Sequence, residues 1–341
     1  MIIQKQQYTN LHADLQRTVP EHQEKFTFRK LMRTQNIGTI LILVLLFAAC
    51  SLTTETFFKF NNIMNITRQV SMVGIMACGV TFVIISGSLD LSIGQIYMLT
   101  SIVACKLTHV NILLAILLPI AAGALCGLLN GVLVGYFRLH PLITTMGTQS
   151  IFLALGYALS EGHPIRAAEN EFFRQIGQGN ILGCIPVPSL IFALIVAFTW
   201  FLLKKTTYGR KVYLVGGNPE AARFSGFSFV KVTMINYIFA GALAGLSGIV
   251  VCSRMMSGVP SMGTGYEFQV MTAVILGGVS FSGGKGSIFG TLIGMLIVGV
   301  LNNSYIQWGI PSSVQYFFQG VIFIIAVVLD TMHERKLGLV S

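Results

Sequence analysis

The chain has 341 residues, of which 54% are hydrophobic and only 10% charged, and its formal net charge is +10. A mean hydropathy of +0.75 and repeated uncharged windows of about twenty residues exceed what one water-soluble core can hide. A soluble globular protein is thereby excluded, and an all-α polytopic membrane protein is expected, since a helix satisfies its own backbone in lipid. The short alternating strands of a membrane barrel are absent from the sequence.

In chain order, residues 1–34 are polar and mixed in charge, and they read as a cytoplasmic arm. The first apolar run begins too late, and without the flanks, for a cleaved leader. FAAC at 47–50 faintly resembles a lipoprotein cleavage site, but Cys50 lies inside a long apolar run. Ten candidate spans follow, at 37–56, 69–86, 91–108, 112–136, 142–159, 187–203, 233–252, 268–281, 287–305 and 314–329, and together they define a transmembrane domain over 35–331. Two of the links, at 87–90 and 282–286, are so short that eight or nine spans are the alternative if one is a re-entrant break. Residues 332–341 form a tail.

With the N-terminus inside, ten spans put sixteen of the 22 Lys and Arg residues on the cytoplasmic side and six outside. That is the bias expected of cytoplasmic loops. Both termini are therefore expected in the cytoplasm, and the basic balance reads as topology and anionic-lipid contact, with no nucleic-acid partner.

Gly123, Gly127 and Gly131, and again Gly290 and Gly294, recur at four-residue spacing inside spans, which predicts close helix packing. TFVIISG at 81–87 echoes TAVILGG at 272–278, and a glycine and serine break follows each. The echo suggests a pseudo-symmetric core of the kind that duplicated transporter halves produce.

The charge that needs an explanation is Asp90, in SGSLDLSIGQ at 86–95. A bare carboxylate at mid-membrane costs at least ~2.5 kcal/mol, so it belongs at an interface, a helix terminus or a wet cavity. Ser92 with Gln95 fits the S-x-x-Q capping pattern, and Asp90 lies at the positive end of the next helix. Capping and a direct part in transport both stay open. Thr144, Thr145, Gln149, Asn130, Asn302 and Asn303 are neutral groups suited to a polyol path, or to gluing helices together.

The longest cytoplasmic connection, 204–231, contains GGNPEAARFSG. Asn218 can cap a helix, Pro219 suits its first position, Glu220 complements its dipole, and Gly226 can end it in a left-handed turn. Ala221, Ala222 and Phe224, with Arg223 beside them, would suit a groove on another protein, although an ordinary loop is the alternative. FSGGKGS at 281–287 is no P-loop: the required earlier glycine is Val279, and Gly286 follows Lys285.

Outside, 161–186 and 253–267 are long enough to receive a soluble partner, and Glu267 reads there as one of several loop charges. Six cysteines without CxxC pairing and six histidines without HExxH predict no metal site. No catalytic constellation recurs within a span, which leaves a membrane enzyme a distant reading.

TFVIISGSLDLSIG, TTYGRKVYLVGGNPEAARFSG, GTGYE and AVILGGVSFSGGKGSIFGTLIGMLIVGVLNN resemble, in this order over about 38–331, the ribose-type sugar permease family. These are membrane subunits of bacterial ATP-binding-cassette importers. The resemblance implies a multi-pass chain of the bacterial inner membrane that carries a monosaccharide, whether a ribose-like pentose, a hexose or a related polyol. It implies a second permease subunit, identical or paralogous, a periplasmic or extracellular sugar-binding protein, and a cytoplasmic ATPase that holds ATP and Mg, with no cofactor on this chain. It also makes Asn218 to Gly226 the coupling helix. One departure is Ser88, where the family commonly has glycine in G-G-I-D-L-S. An ion-gradient-driven secondary transporter of a small polar solute is the alternative function.

Overall fold

The computed structural model describes residues 35–336. The arm expected at 1–34 and the tail residues 337–341 lie outside the described residues. Helices occupy all ten predicted stretches: α1 (Gln35–Thr53), α2 (Phe60–Ile85), α3 (Ile93–Thr108), α4 (Ile112–Gly131, running on into a π-turn at Val132–Tyr136), α5 (Pro141–Ser160), α7 (Val187–Lys205), α10 (Phe229–Met255), α11 (Tyr266–Leu276), α12 (Ile288–Gln307) and α13 (Ser312–Lys336). Between them lie three shorter helices, α6 (Glu171–Gln178), α8 (Thr207–Gly217) and α9 (Pro219–Phe224).

Seven of these, α2, α4, α5, α7, α10, α12 and α13, are long and apolar enough to cross a membrane alone. The apolar parts of α1, α3 and α11 are shorter. The 11 residues of α11 rise only ~17 Å against a hydrocarbon thickness of ~30 Å.

Several boundaries differ from the sequence reading. α2 starts at Phe60, because its polar first turns are helical and partnered: Asn62 donates to the Phe57 carbonyl at 2.9 Å and to Asn303 at 3.1 Å. α11 stops at Leu276, five residues early, because Gly278 adopts φ +80° and turns the chain. α6 and α8 were not foreseen, each being half polar and too short for an apolar window.

α2 and α10 form the centre. Of their most apolar windows, 89% and 72% are buried, against 22% for α4, α5 and α7 and 6% for α13. α10 packs on α2, α3 and α4, and its seam with α4 is made by glycine. A Cβ at Gly123 would lie 2.2 Å from the Gly241 carbonyl oxygen, and one at Gly241 would lie 2.1 Å from that of Gly123. The predicted close approach is thus backbone on backbone. Phe82 and Phe239 fill the α2–α10 contact edge to face, with centroids 5.3 Å apart.

The internal echo is structural as well. α2 and α11 end in the same cap: Gly87 (φ +78°) and Gly278 (φ +80°) are left-handed. Ser88 N–H donates to Val83 O at 3.1 Å, and Val279 N–H donates to Val274 O at 3.3 Å. Thr81 and Thr291 hydroxyls meet at 2.8 Å and join α2 to α12. At the other end, two short ribbons, β1 (Ile165–Arg166) with β4 (Ser257–Gly258) and β2 (Asn180–Ile181) with β3 (Ile185–Pro186), organise the loops around α6.

Candidate functional site

Three loop segments meet where α2 ends. Gly284 N–H donates to the Ile85 carbonyl at 2.8 Å, and a Cβ on Gly216 would lie 1.8 Å from that same oxygen. Gly283 lies against Gly87 so closely that a Cβ there would be 2.9 Å from the Gly87 Cα. Only residues without side chains allow this contact, so the glycines of 87, 216 and 283–284 form one junction. It joins the α2–α3 link, the end of α8 and the turn before α12.

α8 is fixed to the bundle from the side. Thr206 caps it by accepting from Gly209 N–H at 3.2 Å. Tyr208 donates to Asn236 Oδ1 of α10 at 2.6 Å, and Tyr213 donates to the Gly286 carbonyl at 2.8 Å. Burial raises both phenols above their ordinary range and keeps them protonated donors.

From α8 the chain passes directly into α9. Asn218 accepts from Ala221 N–H at 2.9 Å, Pro219 occupies the first turn, and Glu220 lies at the positive end of the helix. Gly226 has φ +80°, and Phe227 N–H donates back to Ala222 O at 2.9 Å. The predicted start and stop are both present. Ala222 is buried, whereas Pro219, Glu220, Ala221 and Arg223 are exposed and Phe224 is 91% exposed. A Phe in that state is an apolar knob held on one fixed turn. Beside it lies an open groove of about 760 Å³, whose walls include Arg138, His140, Glu220, Arg223 and Phe229.

Asp90 lies next to the junction and is fully buried. Its Oδ1 accepts from Ser92 N–H at 2.9 Å and from Ser92 Oγ at 2.6 Å. Asn130 Nδ2 of α4 donates to that Ser92 Oγ at 2.7 Å. Thr145 of α5 accepts from Leu91 N–H at 3.2 Å, and Tyr237 of α10 donates to Leu89 O at 2.6 Å. The short link is therefore tied to three helices at once. Asp90 Oδ2 and Asn130 Oδ1 have no partner among the described residues.

The capping pattern of Ser92 with Gln95 is not formed. Ser92 makes no side-chain cap because its hydroxyl is engaged by Asp90 and Asn130. Asp90 itself accepts an N–H at the helix entry.

The other predicted path residues separate. Thr144 is buried and donates to His140 O at 3.0 Å within α5. Asn303 exchanges hydrogen bonds with Asn62 at 3.0 and 3.1 Å and joins α12 to α2. Asn302, one residue earlier, instead faces a cavity at the far end of α12 and donates to Gln269 at 3.3 Å. Glu267, read as a loop charge, is buried at the start of α11 and accepts from Gln149 at 3.3 Å. Its neighbours Gly263 and Gly94 lie so close that a Cβ on Gly94 would be 2.6 Å from its Oε2. GTGYE composition carried no sign of this, since the burial comes from chain segments far apart in sequence.

Comparison with known proteins matches residues 62–327 to the family described as branched-chain amino acid transport system, permease component. The ribose import permease protein of Bacillus subtilis (strain 168) is 39% identical over 299 residues, 87% of this chain and 92% of that protein. The ribose import permease protein of Escherichia coli (strain K12) is 37% identical over 314 residues, 91% of this chain and 97% of its own length. An L-arabinose ABC transporter permease protein of Azospirillum brasilense is 34% identical over 303 residues, covering 88% of each chain. No solved structure matches the chain. With the apolar helices, the absent P-loop and near full-length similarity in view, the chain belongs to the ribose-type sugar permease family, the multi-pass membrane subunits of ATP-binding-cassette importers.

Proposed function

We propose that this chain forms the solute path of an importer for a monosaccharide, a ribose-like pentose, a hexose or a related polyol, and is driven by a separate ATPase through α9. The observation that carries the reading is the capped six-residue helix that buries Ala222 and presents Arg223 and Phe224 outward. A solvated loop needs neither the cap nor the exposed aromatic. In this account Asn218, Pro219, Glu220, Ala221, Ala222, Arg223, Phe224 and Gly226 make the coupling element within the 204–231 connection. The names of the ribose and arabinose relatives support the substrate class.

The reading places ten spans across the inner membrane, with the arm, α9 and the tail in the cytoplasm. α3 and α11 then complete their crossings through the largely buried link at 86–92 and the half-buried link at 277–287. ATP and Mg reside on the partner ATPase. A second permease subunit completes the pore, and a periplasmic or extracellular binding protein delivers sugar to the opposite face. Force on α9 reaches the core through the glycine junction, because Gly216 and Gly284 leave no compressible layer between α8 and the end of α2. Alternate access follows from tilting the attached helices.

Glu220→Lys and Arg223→Glu test the coupling assignment. Both variants should insert normally into the membrane yet lose co-purification with the ATPase and sugar uptake. Unchanged co-purification and uptake would contradict it.

A further inference from the structure

At the end of the bundle opposite α9, a cavity of about 280 Å³ opens between α2, the end of α10, α11, α12 and the start of α13. It holds roughly nine waters at ~30 Å³ each, the scale of one monosaccharide. Its floor is apolar, with Val70, Val298 and Met295, but its walls are rich in amides. Asn302 Nδ2 donates to Gln269 Oε1 at 3.3 Å, which leaves the Gln269 amide N–H groups and the Asn302 carbonyl without a partner among the described residues. The Gln69 amide has no hydrogen bond to protein among the described residues, and it lines the same space.

Arg254 is the cation of this wall. Among the described residues it has no carboxylate within ion-pair distance, and its guanidinium donates to Met72 Sδ at 3.9 Å. Two tyrosines complete the site. The Tyr266 ring is held against Tyr97 with centroids 5.2 Å apart, and Tyr316, half exposed, stands at the rim over Gly265. Neutral amides that both donate and accept, one guanidinium fork and flat aromatic faces are the groups that bind vicinal hydroxyls and the C–H face of a sugar ring. A purely structural cavity has no need of unpartnered amides around an apolar floor.

We propose that this cavity is a recognition site in which the permease itself reads the hydroxyl pattern of a monosaccharide before the path opens inward. The proposal rests on the monosaccharide reading above and adds to it a place and six residues: Gln69, Arg254, Tyr266, Gln269, Asn302 and Tyr316. Sugar selectivity is then divided between the soluble binding protein and the membrane subunit.

The test uses the complete importer in proteoliposomes. Uptake of a panel of pentoses, hexoses and polyols, D-ribose and L-arabinose among them, first shows which sugar is accepted and which rejected. Gln315→Cys, which lines the cavity but is not one of the six residues, is then made in a background with the half-buried Cys126 and Cys184 replaced by Ala, and its modification by a membrane-impermeant methanethiosulfonate is timed. The accepted sugar, at about ten times its Kd, should slow the reaction about tenfold, the rejected sugar should not, and adding Asn302→Leu should abolish the protection. Ser312→Cys, also in the lining, serves if the first variant does not assemble. Equal rates with and without the accepted sugar at these positions would overturn the proposal while leaving the transport reading intact. Uptake of none of the panel would defeat the monosaccharide reading on which it depends.

Discussion

Asp90 is an ionisable side chain with no exposed surface, and what makes that tolerable is local geometry. Two donors from Ser92 converge on one carboxylate oxygen, while Asn130 and Thr145 hold Ser92 and the link backbone in place. Asp90→Ala removes a charge-assisted pair and should cost about 1.5–3 kcal/mol, visible as a lower unfolding temperature of the purified chain. Asp90→Asn keeps an acceptor for both Ser92 donors, so stability and uptake should both stay close to the unaltered protein. Normal stability with uptake abolished would assign Asp90 a direct part in transport instead. The sequence identified Asp90 as a charge needing an explanation. It did not reveal that Tyr237 holds the Leu89 carbonyl of the same link, because that contact joins residues 148 positions apart. The capping pattern at Ser92 misled for a physical reason: one hydroxyl cannot serve the helix N–H groups while it is engaged by a carboxylate and an amide.

At the level of elements, α9 was the most legible feature of the chain. Asn218, Pro219 and Gly226 are local signals, and their effect needs no distant partner. Asn218→Ala should cost about 0.5–2 kcal/mol of local helix stability and loosen ATPase attachment less than Arg223→Glu does. α8 was not legible, since it is neither long nor apolar and is held by Tyr208, Tyr213 and the glycine junction. Adjacent glycines test that junction. A Cβ at Gly216 meets the Ile85 carbonyl at 1.8 Å, whereas the nearest atom for Gly217 is 3.7 Å away. Gly216→Ala should therefore destabilise by about 1–3 kcal/mol or more and abolish uptake. Gly217→Ala should leave melting temperature and uptake nearly unchanged. Equal effects would mean that α8 does not bear on α2 in the assembled protein. The glycine seam of α4 with α10 was foreseen from four-residue spacing, but its partner helix was not, because spacing marks a face and not what covers it.

For the molecule as a whole, composition and apolar windows were enough to identify a helical membrane protein, and charge distribution suggested its orientation. The depth of each helix was not accessible that way. α2 and α13 have comparable hydropathy yet differ in burial from 89% to 6%, because lipid and protein interior select the same residues. Topology reporters give a direct check. Cysteines at 139, 221 and 285 should react only after the cytoplasmic face is opened, and those at 110, 163 and 309 should react from outside in intact cells. The reverse pattern would overturn the proposed orientation.

The central claim is that this chain is moved by energy supplied from another polypeptide. Vesicles containing the chain with its ATPase and binding protein should accumulate sugar against a gradient only when ATP is present on the α9 side. The chain alone, under an imposed proton or sodium gradient, should accumulate none. Accumulation by the chain alone would contradict the account and identify an ion-driven transporter.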